Sequence, residues 1–210
     1  SEPVFGGVYK LVAKAGQDGT LIPKIKISEN PGKITNPHFK KVYRIYDKQN
    51  GKAIADYITI YDEPLDTTRP LELFDPENTW KRQTVTDYTA RALQIPVFLK
   101  GQCVYQSPAI EDIQKYCQEE IETLWDEVKR FENPHRYYVD LSQTLWDLKQ
   151  EMVRSKGKTP NKKEYNRHPC PVLIVTYVHQ RRSEIRRLIP RPYKRRGVFS
   201  FAIRILKRHM

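Results

Sequence analysis

Apolar and polar positions alternate most clearly between residues 39 and 62. In FKKVYRIYD, Val42, Arg44 and Tyr46 fall on one side, and Tyr43 and Ile45 on the other. In AIADYITIYD, Ile54, Asp56, Ile58 and Ile60 share a side. Asn50-Gly51 stands between the two runs. This order predicts a β-hairpin, because Asn-Gly accepts the left-handed backbone of a tight turn. Arg44 and Asp56 lie among apolar neighbours, so neither strand has a clean solvent face. Upstream, GGVYKLVA (residues 6–13) reads as a turn into a short strand and KAGQDG as a turn. TLIPKIKI (residues 20–27) is a second strand interrupted by Pro23, which places it at an edge or an irregular position.

Residues 62–85, DEPLDTTRPLELFDPENTWKRQTV, hold three prolines and no sustained period. They predict an ordered loop wrapping the body, because Leu71, Leu73, Phe74 and Trp80 still need cover. Loops of this length in compact domains are often functional. ARALQIPVFLKGQCV adds a strand and a turn at Lys100-Gly101. Spacing of three and four then takes over. Ile110, Ile113, Cys117, Ile121, Leu124, Val128 and Phe131 predict a helix with one buried face. Ser107 is its expected N-cap, Pro108 its first position, and Asn133-Pro134 its stop. Glu111 and Asp112 lie near its positive end. A second helix follows from Leu141, Leu145, Leu148 and Met152, with Asp140 as cap and Gln143 completing a capping box. Ser107 and Ser142 read as helix-start residues, not nucleophiles. Glu119, Glu120, Glu122, Asp126 and Glu127 read as a solvated face.

Charge divides the chain. Of 210 residues 30% are charged, and the formal net charge is +12. Residues 155–210 carry 16 Lys and Arg against two acidic residues, whereas residues 1–154 carry 21 against 23. The basic character therefore belongs to the tail alone. SKGKTPNKKEYNRHPCP reads as a linker and VLIVTYV as a short strand-like run. Beyond them Arg181, Arg182, Arg186, Arg187, Arg191, Lys194, Arg195 and Arg196, with Tyr193 and Phe199, suit phosphate contact and base stacking. A nucleic-acid-binding module through residues 155–210 is the alternative function. Arg204 and Lys207 among Ile203, Ile205 and Leu206 also permit an anionic membrane surface. Cys103, Cys117 and Cys170 are odd in number and lack CxxC spacing, which fits a reducing, cytoplasmic setting. No apolar run is long enough to span a bilayer. SEPVFGGVYK lacks a signal-peptide pattern and an initiator Met, so the chain is expected to begin within a domain.

Candidate chemistry is concentrated in one place. Lys24, Lys26, Ser28, Lys33 and Thr35 surround Pro31-Gly32. Lysines supply mobile charge for phosphate, hydroxyls supply neutral donors, and a Pro-Gly break lets backbone N–H groups converge on an anion. A solvated turn is the plainer reading of the same residues. Arg69, Arg82 and Arg91 either hold an anion or pair with Asp66, Asp75 or Glu77 to stitch the long loop down. His38, His135, His168, His179 and His209 have no local Asp, Glu or Cys at ligand or triad spacing, so no residue is assigned to a metal. Neither GxxxxGK[ST] nor GxGxxG occurs. No catalytic residue can be named.

Five stretches, in order, carry a resemblance: GGVYKLVA, KISENPGKITNP, GKAIADYIT, DTTRPLELFDPENTWKR and ENPHRYYVDLSQTLWDLKQE. Together they resemble the C-terminal portion of nicotinate phosphoribosyltransferases over residues 3–153. The resemblance implies an α/β fold: the last part of an irregular phosphoribosyltransferase barrel in residues 1–38, then an α+β C-terminal domain with two packed helices in residues 39–153. Residues 154–210 lie outside it, as a flexible lineage-specific extension or as translation past a shifted frame. The implied reaction joins nicotinate to 5-phosphoribosyl 1-diphosphate with ATP hydrolysis, giving nicotinate mononucleotide for NAD synthesis. Mg2+, ATP and a homodimer are implied as well. The glycine-rich phosphate turn, the N-terminal domain and the phosphorylated histidine of the family are expected before Ser1. The metal and ATP sites are therefore not expected in this chain, and it is expected to be an inactive fragment alone. Lys26 and Ser28 match the family's Lys-hydrophobic-Ser element, with Lys33 and Thr35 in the next loop, all as auxiliary phosphate contacts.

Overall fold

The computed structural model describes residues 8–155 and the two-residue strand Thr176–Tyr177. Its centre is the expected hairpin. Strands β4 (Lys40–Asp47) and β5 (Ala53–Ile60) pair antiparallel, with Arg44 directly opposite Asp56. Gly51 takes a φ of 69°, and Asp47 accepts from the backbone of Gln49 and Gly51, which closes the turn. Three short strands precede the hairpin: β1 (Val8–Tyr9), β2 (Ala13–Ala15) and β3 (Leu21–Pro23). β2 and β3 pair antiparallel across the predicted KAGQDG turn, where Gly19 has a φ of 78°. β1 pairs with the last described strand, β12 (Thr176–Tyr177), which falls within VLIVTYV. The remaining expectations for the basic tail lie outside the described residues.

The long segment after β5 departs from expectation. It contains a second hairpin, β6 (Leu71–Phe74) and β7 (Arg82–Val85), followed by β8 (Tyr88–Ala92). Leu71, Leu73 and Phe74 are buried as expected, but Trp80 is exposed at the hairpin tip. Asp75 shapes that tip by accepting from the backbone of Glu77 and Asn78. β8 joins the edge of β4, and β9 (Phe98–Leu99) pairs with β10 (Gln102–Cys103) around Lys100-Gly101, both with positive φ.

The first predicted helix needs three corrections. First, the predicted long helix breaks in two: α1 (Ile110–Glu122) and α2 (Asp126–Lys129). The Thr123 hydroxyl donates to the Glu120 carbonyl, and the Thr123 carbonyl accepts from Ala53 N at the start of β5. These contacts take the carbonyls that a continuing helix would use. Second, Ser107 does not cap α1; Ala109 is the N-cap and makes no side-chain cap bond. Third, the two helices were expected to bury one stripe each, yet α1 buries no residue. Leu124 and Val128, beyond its end, are buried.

The final helix, α3 (Gln143–Arg154), follows a strand the sequence did not announce, β11 (Tyr138–Leu141), which runs parallel to β5. Pairing with β5 runs on through Leu141, so α3 starts only at Gln143 and Asp140 lies two residues short of the N-cap position. Ser142 does so instead, accepting from Leu145 N and donating to Glu63 at 2.6 Å.

The main sheet thus runs β11-β5-β4-β8, mixed in direction. Ile45, Ala55 and Tyr57 pack with Leu71, Leu73, Val85 and Tyr88 from β6–β8. Ile58 and Ile60 pack with Leu141, Leu145, Leu148 and Met152, the stripe predicted for the last helix. Among the described residues, only α3 therefore packs on the sheet through a buried apolar stripe, in place of the two packed helices expected.

Candidate functional site

The loop between β3 and β4 carries Lys26, Ser28, Lys33 and Thr35. Thr35 Oγ1 accepts from Lys26 N at 3.1 Å, which draws the two ends of the loop together. Asn30 caps a single 3-10 turn, Pro31–Lys33, with its side chain on Gly32 N at 3.0 Å. Ser28 Oγ accepts from Asn30 N, and the N–H groups of Lys33 and Ile34 close onto Asn30 O and Pro31 O. The backbone donors that a Pro-Gly break would aim at an anion are therefore engaged within the turn. The side-chain donors that the loop presents are the exposed Lys26 and Lys33 ammonium groups and the hydroxyl protons of Ser28 and Thr35. Lys10 joins them from the end of β1, donating to Lys33 O at 3.2 Å. Nothing in its local sequence marks Lys10, because the contact spans 23 residues.

Behind the loop the chain turns sharply into β4. His38 is buried and has a φ of 69°, a left-handed backbone that a non-glycine residue seldom adopts. The Lys40 ammonium donates to the carbonyls of Asn36, Pro37 and His38 at 2.9, 3.3 and 2.5 Å. Burial pushes this ammonium down to about 7. Lys40 thus holds the turn that carries Thr35 into the sheet. Phe39 stacks on Tyr61, and the Lys41 ammonium lies 4.6 Å from the centre of the Tyr61 ring.

Arg69 and Arg82 take stitching contacts. Arg69 pairs with Asp66 at 3.3 Å on an exposed turn. Arg82 pairs with Glu72 across the β6–β7 hairpin and lies 4.9 Å over the Phe74 ring. Arg91 pairs with Glu120 at 2.6 Å, not with the loop acids named from sequence.

A second charged cluster is built on the hairpin register. Arg44 grips Asp56 with Nε and Nη2 at 2.8 and 3.1 Å, and reaches Glu120 with Nη1 at 2.9 Å. Tyr137 donates to Asp56 at 3.1 Å and lies against the guanidinium. Asp56 is fully buried. Burial by itself lowers the Arg44 guanidinium, but the bonds and charge of Asp56 overcome it and raise it. Burial, then the Asp56 charge, likewise raises the Tyr137 phenol. Two arginines face two carboxylates, so the cluster is neutral and clamps α1 to the sheet. Glu120, expected on a solvated face, belongs to this clamp. Its sequence signal was the pair of charges placed among apolar neighbours on strands that face each other.

Among the described residues, no three His, Cys, Asp or Glu side chains gather to hold a metal ion. No described helix is long and apolar enough to cross a membrane. The Arg-rich run considered for nucleic acid lies outside the described residues.

Comparison with known proteins decides the family. Residues 39–149 match the model of the nicotinate phosphoribosyltransferase C-terminal domain. The chain belongs to the nicotinate phosphoribosyltransferase family. It is 43% identical over 152 residues to the nicotinate phosphoribosyltransferase of Bacillus subtilis strain 168, a match covering 72% of this chain and 31% of that protein. The Caenorhabditis elegans nicotinate phosphoribosyltransferase is 35% identical over 149 residues, covering 70% and 25%. The crystal structure of human nicotinic acid phosphoribosyltransferase superposes with a TM-score of 0.51 at 21% identity, covering 65% of this chain and 26% of the human one. That likeness shows the fold. The chain spans between a quarter and a third of the length of these nicotinate phosphoribosyltransferases.

Proposed function

We propose that this chain is the C-terminal part of a nicotinate phosphoribosyltransferase, the cytoplasmic, homodimeric enzyme that joins nicotinate to 5-phosphoribosyl 1-diphosphate with ATP hydrolysis. The observation that carries the reading is the 43% identity over 152 residues to the Bacillus relative. In this reaction a diphosphate departs while positive charge develops on the ribose carbon, so positioned donors around the phosphates supply much of the catalysis. Lys26, Ser28, Lys33 and Thr35 form one wall of that pocket, with Lys10 beside them. The glycine-rich phosphate turn and the sites for magnesium and ATP are assigned to the part of the polypeptide that precedes this chain in full-length relatives.

Two expected results test the reading. Purified chain, given nicotinate, 5-phosphoribosyl 1-diphosphate, ATP and magnesium, makes no nicotinate mononucleotide. A chimera that joins the preceding part of the Bacillus relative in frame to this chain does. Product formed by the chain alone, in proportion to its concentration, would sink the one-wall reading. In the chimera, Lys26→Ala and Lys33→Ala each raise KM for 5-phosphoribosyl 1-diphosphate. Loss of one charge-assisted contact corresponds to about tenfold or somewhat more. An unchanged KM in both variants removes these lysines from the phosphate site.

A further inference from the structure

We propose that the N-terminal half of α1 is a docking surface for the part of the enzyme that precedes this domain; the inference rests on the family reading above. From Arg91 to Thr123 no residue is buried, although the stretch forms β9, β10 and α1. On α1, Ile110, Ile113 and Tyr116 recur three apart and so share one side of the helix. They are 69%, 42% and 54% exposed. Phe98, Leu99 and Val104, just upstream, are exposed too.

A 13-residue helix that buries nothing gains little from its own side chains, and isolated helices of that length are marginal in water. What holds α1 lies near its C-terminal end. Glu120 accepts from Arg44 and Arg91, and the Lys52 ammonium donates to the Glu122 carbonyl at 2.8 Å. The clamp fixes one half of the helix and leaves the apolar half projecting. Apolar surface presented in this way marks an interaction site.

The occupant follows from how much of the family polypeptide lies outside this chain. The matched region is the family's C-terminal domain, and the chain covers 31% of the Bacillus relative. About two thirds of such a protein therefore precedes this domain, tethered to it at high effective concentration. Glu111 and Asp112 lie in the first turn of the same helix, beside the apolar residues, whereas Glu119 further along is paired with Lys115 at 4.0 Å. The complementary face is accordingly apolar, with basic groups opposite the first turn of α1.

The test is the triple variant Ile110→Ser, Ile113→Ser, Tyr116→Ser, made in the full 210-residue chain and in the chimera. Because the three side chains are exposed here, the chain alone is expected to melt within about 1 °C of its parent. The chimera is expected to melt lower by about 5 °C or more. Tyr116 should also become protected from oxidative labelling in the parent chimera. Equal shifts in both backgrounds, or an exposed Tyr116 in the chimera, overturn the inference. So does concentration-dependent dimerisation of the chain alone that the triple variant abolishes, since the occupant is then a second copy. A chimera that makes product yet ignores the variant refutes the surface and leaves the family reading standing. A chimera that folds, responds to the variant and makes no product does the reverse.

Discussion

Arg44→Met is expected to destabilise the chain by about 3–5 kcal/mol, because it breaks a buried ion pair by removing one partner. Asp56 is fully buried and would lose both guanidinium bonds, at 2.8 and 3.1 Å. Methionine still fills the space against Tyr137, so the loss is electrostatic rather than a cavity. Adding Asp56→Leu should return most of the stability, since replacing both partners by apolar groups is often neutral. Urea unfolding of the single and double variants reads both effects. A single variant within about 1 kcal/mol of the parent would show that the clamp contributes little. The same change frees Glu120 from one of its two arginines, and should therefore loosen α1, read as faster amide exchange in residues 110–122.

Asp140→Asn is expected to stabilise the chain at pH 8 and to have little effect at pH 4. Burial first, and then the nearby Asp75 charge, push the Asp140 carboxyl from 3.8 up to about 7, against the opposing pull of Arg136. Asp75 holds its own charge because Asn78 and the backbone of Glu77 donate to it, so Asp140 is the carboxyl that keeps a proton. A folded-state value above the unfolded one means that the folded chain binds the extra proton between about 4 and 7. The resulting stability is fully present below the unfolded value and is lost as pH rises through about 7. At roughly 1.4 kcal/mol per unit, the advantage of the neutral asparagine grows to about 2–4 kcal/mol above neutrality. Melting curves of parent and variant between pH 4 and 8 give the difference directly. A difference that does not change with pH would mean that Asp140 is already ionised in the folded chain.

Some of this architecture was written locally. The β4–β5 hairpin was legible because a two-residue period and Asn50-Gly51 agree, and that register alone sets Arg44 against Asp56. The last helix was legible because Leu145, Leu148 and Met152 form one buried stripe; Leu141, expected to begin it, ends β11 instead. The phosphate-loop candidates were legible as residue types, and five stretches in order gave the family.

Long-range pairing decided the rest. β11 is four residues long and its partner lies some 80 positions earlier, so no local period announces it; once formed, it moved the cap of α3 from Asp140 to Ser142. β7 is mostly exposed and polar, and becomes a strand only because Leu71, Leu73 and Phe74 hold β6 in the core. The stripe on α1 was real as a pattern, but period reports only that apolar residues share a side. Whether that side meets a sheet, another domain or water depends on what the rest of the fold brings opposite it, and in this chain Glu120 and its two arginines decide where the helix sits.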